Sequence, residues 1–394
     1  MPQRIPALIQ PALLIWARES AGLPLDEAAK KAQVDSDTLR EWEKGESRPS
    51  IPQVRKLGEV YKRPLAVFFL PEPPKDFDPQ REFRRLPGVT PQNESTELRL
   101  ALRAALFRRE AARELYERLG EPLPELRLSA HPDEDPEEVG RRIRELLGIT
   151  WEDQLEWATP YTALNAWREA IENLGVLVFQ TGGIELAEMR GTGVTQGPLP
   201  VIVLNNADAP HGRIFTLIHE FIHIMFANGG HHTSAIEGKR QPEDQLLERA
   251  SNRFAAATLM ARKPFLAEAE KYPDILRGSN DALRRFANRI KVSPEAILRR
   301  LVSLQRVSTG LYREKRTEWE KRSWFSTPAS EGGPPIQVKV VSTMGRSFVA
   351  LVLEGYQRNA ISSGDVSDYL GMKLKYLDKV AGELLTRPPT PALR

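Results

Sequence analysis

The sequence contains no cysteine and only six histidines among its 394 residues. The lack of cysteine excludes disulfide bonds, thiolate zinc sites and cysteine nucleophiles. A bound metal ion would therefore need histidine and carboxylate ligands, so the positions of the few histidines are informative.

Long apolar runs are also missing. No run approaches the roughly 18 residues that a membrane span requires, and the first 20 residues hold no signal-peptide core followed by a cleavage site. We therefore expect a cytoplasmic protein that has no membrane partner.

The composition is that of an ordinary globular protein, with 41% apolar and 28% charged residues. Its length predicts two or three domains. The net charge of +3 is too small to indicate nucleic-acid binding without further observations. Residues 1–70 carry 11 Lys and Arg against nine acids, and residues 299–322 carry eight against three.

Hydrophobic spacing predicts a mainly α chain with a small mixed β-sheet, an α+β fold. Short runs of β-forming residues predict strands at 175–180 and 200–205, with a third within 185–193. The alternating residues 336–343 predict a further strand near the C-terminus.

The predicted domains follow the changes in composition along the chain. Short helices with tight turns predict a helix-turn-helix bundle at the N-terminus. In order, we expect a helix-turn-helix domain (1–71), a proline-rich linker (72–93), a helical connector (94–158), a domain with the small sheet (159–306), and a C-terminal strand and helices (307–394).

The pattern His-Glu-x-x-His occurs once, on a strongly apolar helix, at His219, Glu220 and His223. Residues four apart in sequence lie about 40° apart around the helix axis and about 6 Å apart along it, so both imidazoles can reach one ion. Glu220 is turned about 100° from His219, where it can take a proton from water bound to the metal. The alternative is a chance match on a core helix, although burying two histidines and a glutamate there would be costly unless they are paired or ligated.

A third ligand is available on the next strong helix, 25 residues after His223, where Glu248 and Asn252 share a face. Two histidines and a carboxylate leave an open fourth position for water, which is the catalytic form of zinc coordination. Asn252, or a backbone carbonyl, could then hold a ligand histidine in its tautomer. The alternative for Glu248 is an ordinary solvated acid.

A peptidase with this site also needs a donor for the oxyanion. We rank His231 and His232, in the loop after the histidine helix, above Arg213 and Tyr161. The alternative for each of the two histidines is a solvated loop residue. His131 and His211 are predicted to be surface residues.

These motifs resemble those of the ImmA/IrrE metallopeptidases, here preceded by an XRE-type helix-turn-helix of the Cro/CI kind. The resemblance covers most of the chain. In the peptidase part it depends on residues 167–170 (WREA), 175–179 (GVLVF), 199–205 (LPVIVLN), 213–223 (RIFTLIHEFIH) and 248–256 (ERASNRFAA). In the N-terminal part it depends on residues 16–22 (WARESAG), 42–45 (WEKG), 61–64 (YKRP) and 68–71 (FFLP).

The resemblance implies a gluzincin-like zinc metalloendopeptidase with a zincin-like core. It implies one Zn²⁺ per chain, held by His219, His223 and Glu248, with Glu220 as general base. Relatives cleave an XRE-type repressor, which relieves repression in mobile-element transfer or in the response to DNA damage.

The helix-turn-helix suggests double-stranded DNA as a partner. Arg40, Lys44 and Arg48 are the residues we expect to contact bases or phosphates. Several acidic residues lie in or beside the same helix, and a domain with a net charge of +2 offers few phosphate contacts, so the alternative is a module that docks on another protein. A homodimer would double the DNA footprint.

Three functions remain open at this point. The first is a zinc endopeptidase of narrow specificity that cleaves a regulatory protein in a stress response. The second is a transcriptional regulator or antitoxin-like docking protein with a structural or vestigial metal site, although such a site needs no base beside its ligands. The third is a peptidase that processes a neighbouring toxin or defence protein.

Overall fold

A computed structural model describes residues 6–63, 65–73, 95–195, 197–231, 242–321 and 333–386. As predicted, the chain is mainly α-helical with one small mixed sheet. The described residues up to 108 form a first compact unit and those from 109 onward form a second. All of the predicted linker 72–93 except its first two residues lies outside the described residues.

The first unit has the helical pattern of a helix-turn-helix. The turn between the second and third helices contains Gln33 in the left-handed conformation (φ 60°), and the third helix ends at Gly45 (φ 76°), where glycine has no Cβ to clash. The core of this unit consists of buried apolar side chains that include Leu39, Trp42 and Leu57. The helices are α1 (Pro11–Ser20), α2 (Leu25–Ala32), α3 (Ser36–Lys44), α4 (Ile51–Tyr61) and the first part of α5 (Thr96–Leu119).

A partly buried ion pair connects α1 to α3 within this unit. The Arg18 guanidinium donates to both carboxylate oxygens of Glu43, over 2.7 and 3.0 Å. Its Nη1 also donates to the carbonyl oxygen of Leu23, before α2. A two-pronged contact of this kind holds the helices in one relative orientation.

The second unit contains the sheet and most of the helices. The elements before the sheet are α6 (Pro136–Leu147), α7 (Trp151–Glu156) and α8 (Pro160–Glu172). After the sheet come α9 (Pro210–Asn228), α10 (Pro242–Leu259), α11 (Arg262–Ala269), α12 (Asn280–Ile290), α13 (Pro294–Ser303) and α14 (Thr309–Lys321). The last helices are α15 (Ile336–Met344), α16 (Arg346–Gln357), α17 (Ser363–Leu370) and α18 (Leu377–Leu385).

The sheet has the strand order β1-β3-β2, with β1 (Leu177–Thr181), β2 (Gly191–Val194) and β3 (Val201–Asn205). β1 pairs with β3 in parallel, and β2 pairs with β3 antiparallel. The first and last strands were predicted to within two residues at each end. The middle strand begins at Gly191, near the end of the range in which the sequence predicted it.

The two faces of the sheet are covered by different helices. Alternate residues such as Val178 and Ile202 belong to the main core together with α9. On the opposite face, the ring of Phe179 lies edge-on against Phe348 of α16, with centroids 5.5 Å apart. Helix α9 therefore lies under the sheet, and β2 crosses it closely.

The predicted strand at 336–343 is wrong, because Ile336–Met344 forms helix α15. Val340, Val341 and Met344 are buried on one face of this helix. An alternating strand would instead have turned Val341 to the face opposite the other two. The carbonyl oxygen of Ser342 accepts a hydrogen bond from the Gln180 side chain of β1 (2.7 Å). The segment therefore packs beside the sheet as a helix and does not extend the sheet as a fourth strand.

Within the described residues, no single helix is both long and apolar enough to cross a membrane. Among the described helices, one bent pair, Ile336–Met344 and Arg346–Gln357, has the length and composition of a span, and its two helices meet at 106°.

Candidate metal centre

Helix α9 supplies two of the three candidate metal ligands. It starts with Pro210 in its first turn, where a proline needs no hydrogen-bond partner for its nitrogen, and runs for 19 residues. Apolar residues are buried on nearly every side of it, including Leu217, Phe221 and Ile224. A helix packed this tightly holds the side chains of His219 and His223 in fixed positions.

The structure brings Glu248 of α10 to both histidines. The Nε2 atoms of His219 and His223 are 3.1 Å apart. The Glu248 carboxylate lies 3.4 Å from the first of these atoms and 3.7 Å from the second. One ligand atom from each residue lies within 4.8 Å of the others, and within the described residues no other group of three or more metal-binding side chains converges in this way.

These distances fit a tetrahedral metal ion. Ligand atoms about 2.0–2.1 Å from a zinc ion at tetrahedral angles stand about 3.4 Å apart, which lies within the observed range of 3.1–3.7 Å. The His223 side chain is only 4% exposed, whereas those of His219 and Glu248 are 14% and 23% exposed. Solvent therefore reaches His219 and Glu248, as an open fourth position requires.

Glu220 lies beside this group, beneath strand β2. It is 7% exposed. A Cβ added to Gly193 would stand 3.3 Å from its Oε2 atom, so the glycine leaves room for the carboxylate at this crossing. Glu220 is therefore held next to the candidate metal ligands without being one of the three converging groups.

The sequence suggested Asn252 as the partner of a ligand histidine, but its side chain bonds to its own helix. The Asn252 amide donates to the carbonyl oxygen of Glu248 in its own helix, over 2.8 Å. Ser251, the residue before it, touches His223 with its hydroxyl oxygen, 3.0 Å from Nε2 and 3.3 Å from Nδ1. Ser251 was not predicted from the sequence, although its position three residues after Glu248 places both on one side of the helix.

The histidines proposed as oxyanion donors are not brought to the ligands by the described contacts. His231 follows the end of α9 and packs its ring edge-on against His131, with centroids 4.4 Å apart. His232 lies outside the described residues. His131 is exposed at the surface, as predicted.

Two further polar residues of α9 have structural contacts. The buried Arg213 donates to the Gln180 side chain of β1, and its guanidinium carbon lies 5.5 Å from the ring centroid of Tyr161. His211 was expected at the surface, but it is only partly exposed and its Nε2 atom is buried. Burial, aided by the positive charge of Lys291, lowers the pKa of His211 to about 4.

The residues predicted to contact DNA lie at the surface of the first unit. Arg40 is about half exposed and pairs with Asp37, one turn earlier in α3. The Lys44 ammonium lies 3.7 Å from the Glu46 carboxylate. Arg48 is exposed just after α3.

Comparison with known families agrees with this division of the chain. Residues 171–302 match the peptidase-family model described as the IrrE N-terminal-like domain. Residues 14–68 match the family model described as helix-turn-helix. A search of curated proteins found no match to the chain.

The first match covers the whole sheet, α9 with its two histidines and α10 with Glu248. The second covers the turn between α2 and α3. The chain therefore contains a region that matches an IrrE N-terminal-like peptidase domain, preceded by a region that matches a helix-turn-helix of the XRE type.

Proposed function

We propose that the protein is a zinc-dependent endopeptidase of narrow specificity, coupled to a DNA-binding helix-turn-helix. Its substrate would be a regulatory protein, either an XRE-type repressor or a neighbouring toxin or antitoxin partner, whose cleavage changes transcription in a stress response or a defence module. The observation that carries this proposal is the convergence of His219, His223 and Glu248 with a glutamate directly after the first histidine.

The three ligands and Glu220 have separate roles in this proposal. A zinc ion held by the three ligands would supply a Lewis acid and an acidified water at neutral pH. Glu220 accepts a proton from the attacking water and returns it to the leaving amine. Bulk water has little access to the Glu220 carboxylate, because this residue of α9 is only 7% exposed and its Oε2 atom lies close to Gly193 of β2.

Strand β2 offers a surface on which a peptide could bind. In the described part of the chain, β3 is its only strand neighbour. A substrate backbone could therefore add along its other side by main-chain hydrogen bonds. Gly193 in this strand lies close to Glu220, so a peptide bound there would pass near the proposed general base.

The second candidate function is a regulator whose metal site is structural or vestigial. The position of Glu220 argues against it, since a structural site has no use for a buried carboxylate beside its ligands. A docking or DNA-binding role for the helix-turn-helix is compatible with either function.

The experiment compares the wild-type chain with Glu220→Gln and with the double variant His219→Ala/His223→Ala. We expect about one zinc per chain, by elemental analysis, in wild type and Glu220→Gln but not in the double variant. In cells, labelling of new protein N-termini should reveal a cleavage product with wild type alone, because only wild type has both the zinc and the base.

Cleavage by Glu220→Gln would contradict the proposed mechanism. A wild-type protein that holds no zinc even after reconstitution at neutral pH would favour the regulator function.

A further inference from the structure

Helix α9 leaves one narrow strip of its surface open to solvent beside the candidate metal centre. Between positions 213 and 227, only Phe215, Thr216 and His219 are partly exposed, and all the other residues are buried. Phe215 precedes His219 by four residues, which places it about 40° from His219 around the helix and about 6 Å along it. The aromatic side chain therefore lies on the same side of α9 as the candidate ligand, one turn before it.

The strip is bordered by β2 and by α10. A Cβ added to Gly191 of β2 would clash with the Thr216 methyl group, so this strand lies directly over that side of the helix. Helix α10 covers the next turn, where the His223 side chain is only 4% exposed and Glu248 reaches to 3.4 Å from the Nε2 atom of His219. The open strip therefore begins at the candidate ligands and extends from them toward the start of α9.

Phe215 gives this strip an apolar surface. It packs against the main core of the second unit and keeps part of its surface in solvent. Its neighbour on the strip, Thr216, is uncharged. Sites that bind ligands are lined mostly by hydrophobic and aromatic side chains, together with a few polar groups that fix orientation. The strip has this composition, because an aromatic ring adjoins the group of side chains that could hold a metal ion.

We propose that Phe215 is a specificity-determining residue, which receives an apolar side chain of the substrate near the scissile bond. Phe215 lies about 6 Å from His219 along the helix. An extended peptide advances about 3.3 Å per residue, so the side chain that Phe215 receives belongs to a residue within about two positions of the cleaved bond. This inference rests on the proposed function and adds a substrate class, a protein segment with an aliphatic or aromatic residue near the cleaved bond.

The test uses the full chain with Zn²⁺ and three probes, the hydroxamates of N-acetylglycine, N-acetyl-leucine and N-acetylphenylalanine. The hydroxamate group binds a zinc ion, and the probes differ only in the side chain next to it. The variants are Phe215→Ala, Phe215→Leu and, as a matched control, Leu246→Ala. Leu246 is an apolar residue of α10 with 43% exposure, and it lies about 200° around that helix from Glu248. Calorimetry gives the dissociation constants, and the visible spectrum with Co²⁺ shows whether each probe binds at the metal.

We expect the wild-type chain to bind the leucine probe about 10-fold more tightly than the glycine probe, because its apolar side chain leaves water when it contacts Phe215. Phe215→Ala should abolish most of this preference without changing the affinity for the glycine probe. Phe215→Leu leaves a smaller apolar side chain, so the preference should move from the leucine probe toward the larger phenylalanine probe. Leu246→Ala should keep the wild-type preference.

The glycine probe separates this inference from the proposed function. A wild-type preference below twofold, or one that persists in Phe215→Ala, would overturn the inference, while binding of the glycine probe would still support the metal centre. If Phe215→Ala does not fold, an unchanged order of the leucine and phenylalanine probes in Phe215→Leu would overturn the inference. A wild-type chain incubated with Zn²⁺ that binds none of the probes would contradict the proposed metal centre, and the inference would fall with it.

Discussion

At the scale of single residues, the proposed metal centre depends on a carboxylate from outside the histidine motif. Glu248 is 23% exposed and lies within 3.7 Å of both histidine nitrogens. In the proposed centre, a carboxylate in this position would complete three protein ligands and would add a negative charge that favours a cation. Asn252, one turn further along α10, bonds only the backbone of its own helix in the described contacts.

We predict that Glu248→Ala lowers Zn²⁺ affinity by more than the roughly 10- to 100-fold expected for loss of an orienting group, because it removes a ligand. Asn252→Ala should bind Zn²⁺ nearly as tightly as wild type. Chelator competition at constant pH measures both. An unchanged affinity in Glu248→Ala would place the third ligand elsewhere, and a large loss in Asn252→Ala would restore the role that the sequence suggested for it.

At the scale of elements, α6 packs against α10 at backbone distance. A Cβ added to Gly140 of α6 would stand 2.8 Å from the backbone nitrogen of Thr258 and 2.9 Å from the carbonyl carbon of Ala257. Neither atom can move without shifting α10. The position of the helix that carries Glu248 and Ser251 therefore depends on the absence of a side chain on its neighbour.

We predict that Gly140→Ala lowers the free energy of unfolding of the second unit by about 1–3 kcal/mol, the usual cost of overpacking. The matched control is Gly382→Ala in α18, where an added Cβ would meet nothing within 4 Å. This change should raise the free energy of unfolding by roughly 0.4–1 kcal/mol, because alanine restricts the unfolded chain. Denaturant titration followed by circular dichroism compares the two, and a shift in the same direction for both would contradict the packing argument.

At the scale of the whole molecule, the second unit is assembled from segments distant in the sequence. The buried pair Arg168 and Glu172 of α8 is joined at 2.7 Å, and the Glu172 carboxylate accepts from the backbone N–H of Ser347 over 3.2 Å. Arg168 also donates to the carbonyl oxygens of Val178 and Ser342. Burial raises the pKa of Glu172, while Arg168 acts in the opposite direction. The pair thus connects α8, β1 and the C-terminal helices.

For the first unit, we predict binding to double-stranded DNA. We expect the full chain to shift a duplex from its own promoter at low salt. Removing the charges of Arg40, Lys44 and Arg48 should weaken binding and reduce the slope of log K against log salt by about 0.9 for each phosphate that the protein no longer neutralises. Lys56→Ala is the control, because this partly exposed lysine belongs to α4, where it lies 3.8 Å from Glu59, and is not one of the three residues proposed to contact DNA. No shift at low salt would favour a protein-docking role.

The parts of the protein that depend on local spacing were predictable from its sequence. His219, Glu220 and His223 lie within five residues on one helix, so the 100° turn per residue defines their relation before any packing. The strands at 177–181 and 201–205 were predicted for a similar reason, since β-forming residues in a short run between turn signals leave few alternatives.

The parts that depend on packing between distant segments were not predictable in this way. Ile336–Met344 has a pattern that suits a strand, but it forms a helix. Its Ser342 carbonyl oxygen accepts hydrogen bonds from Gln180 of β1 and Arg168 of α8, which lie 162 and 174 residues earlier. Likewise, helical spacing puts Ser251 and Asn252 near the same site, and only the approach of α9 to α10 directs the serine at His223 while the asparagine bonds its own backbone. Such choices are made by the burial and hydrogen bonding of groups that meet only in the folded chain.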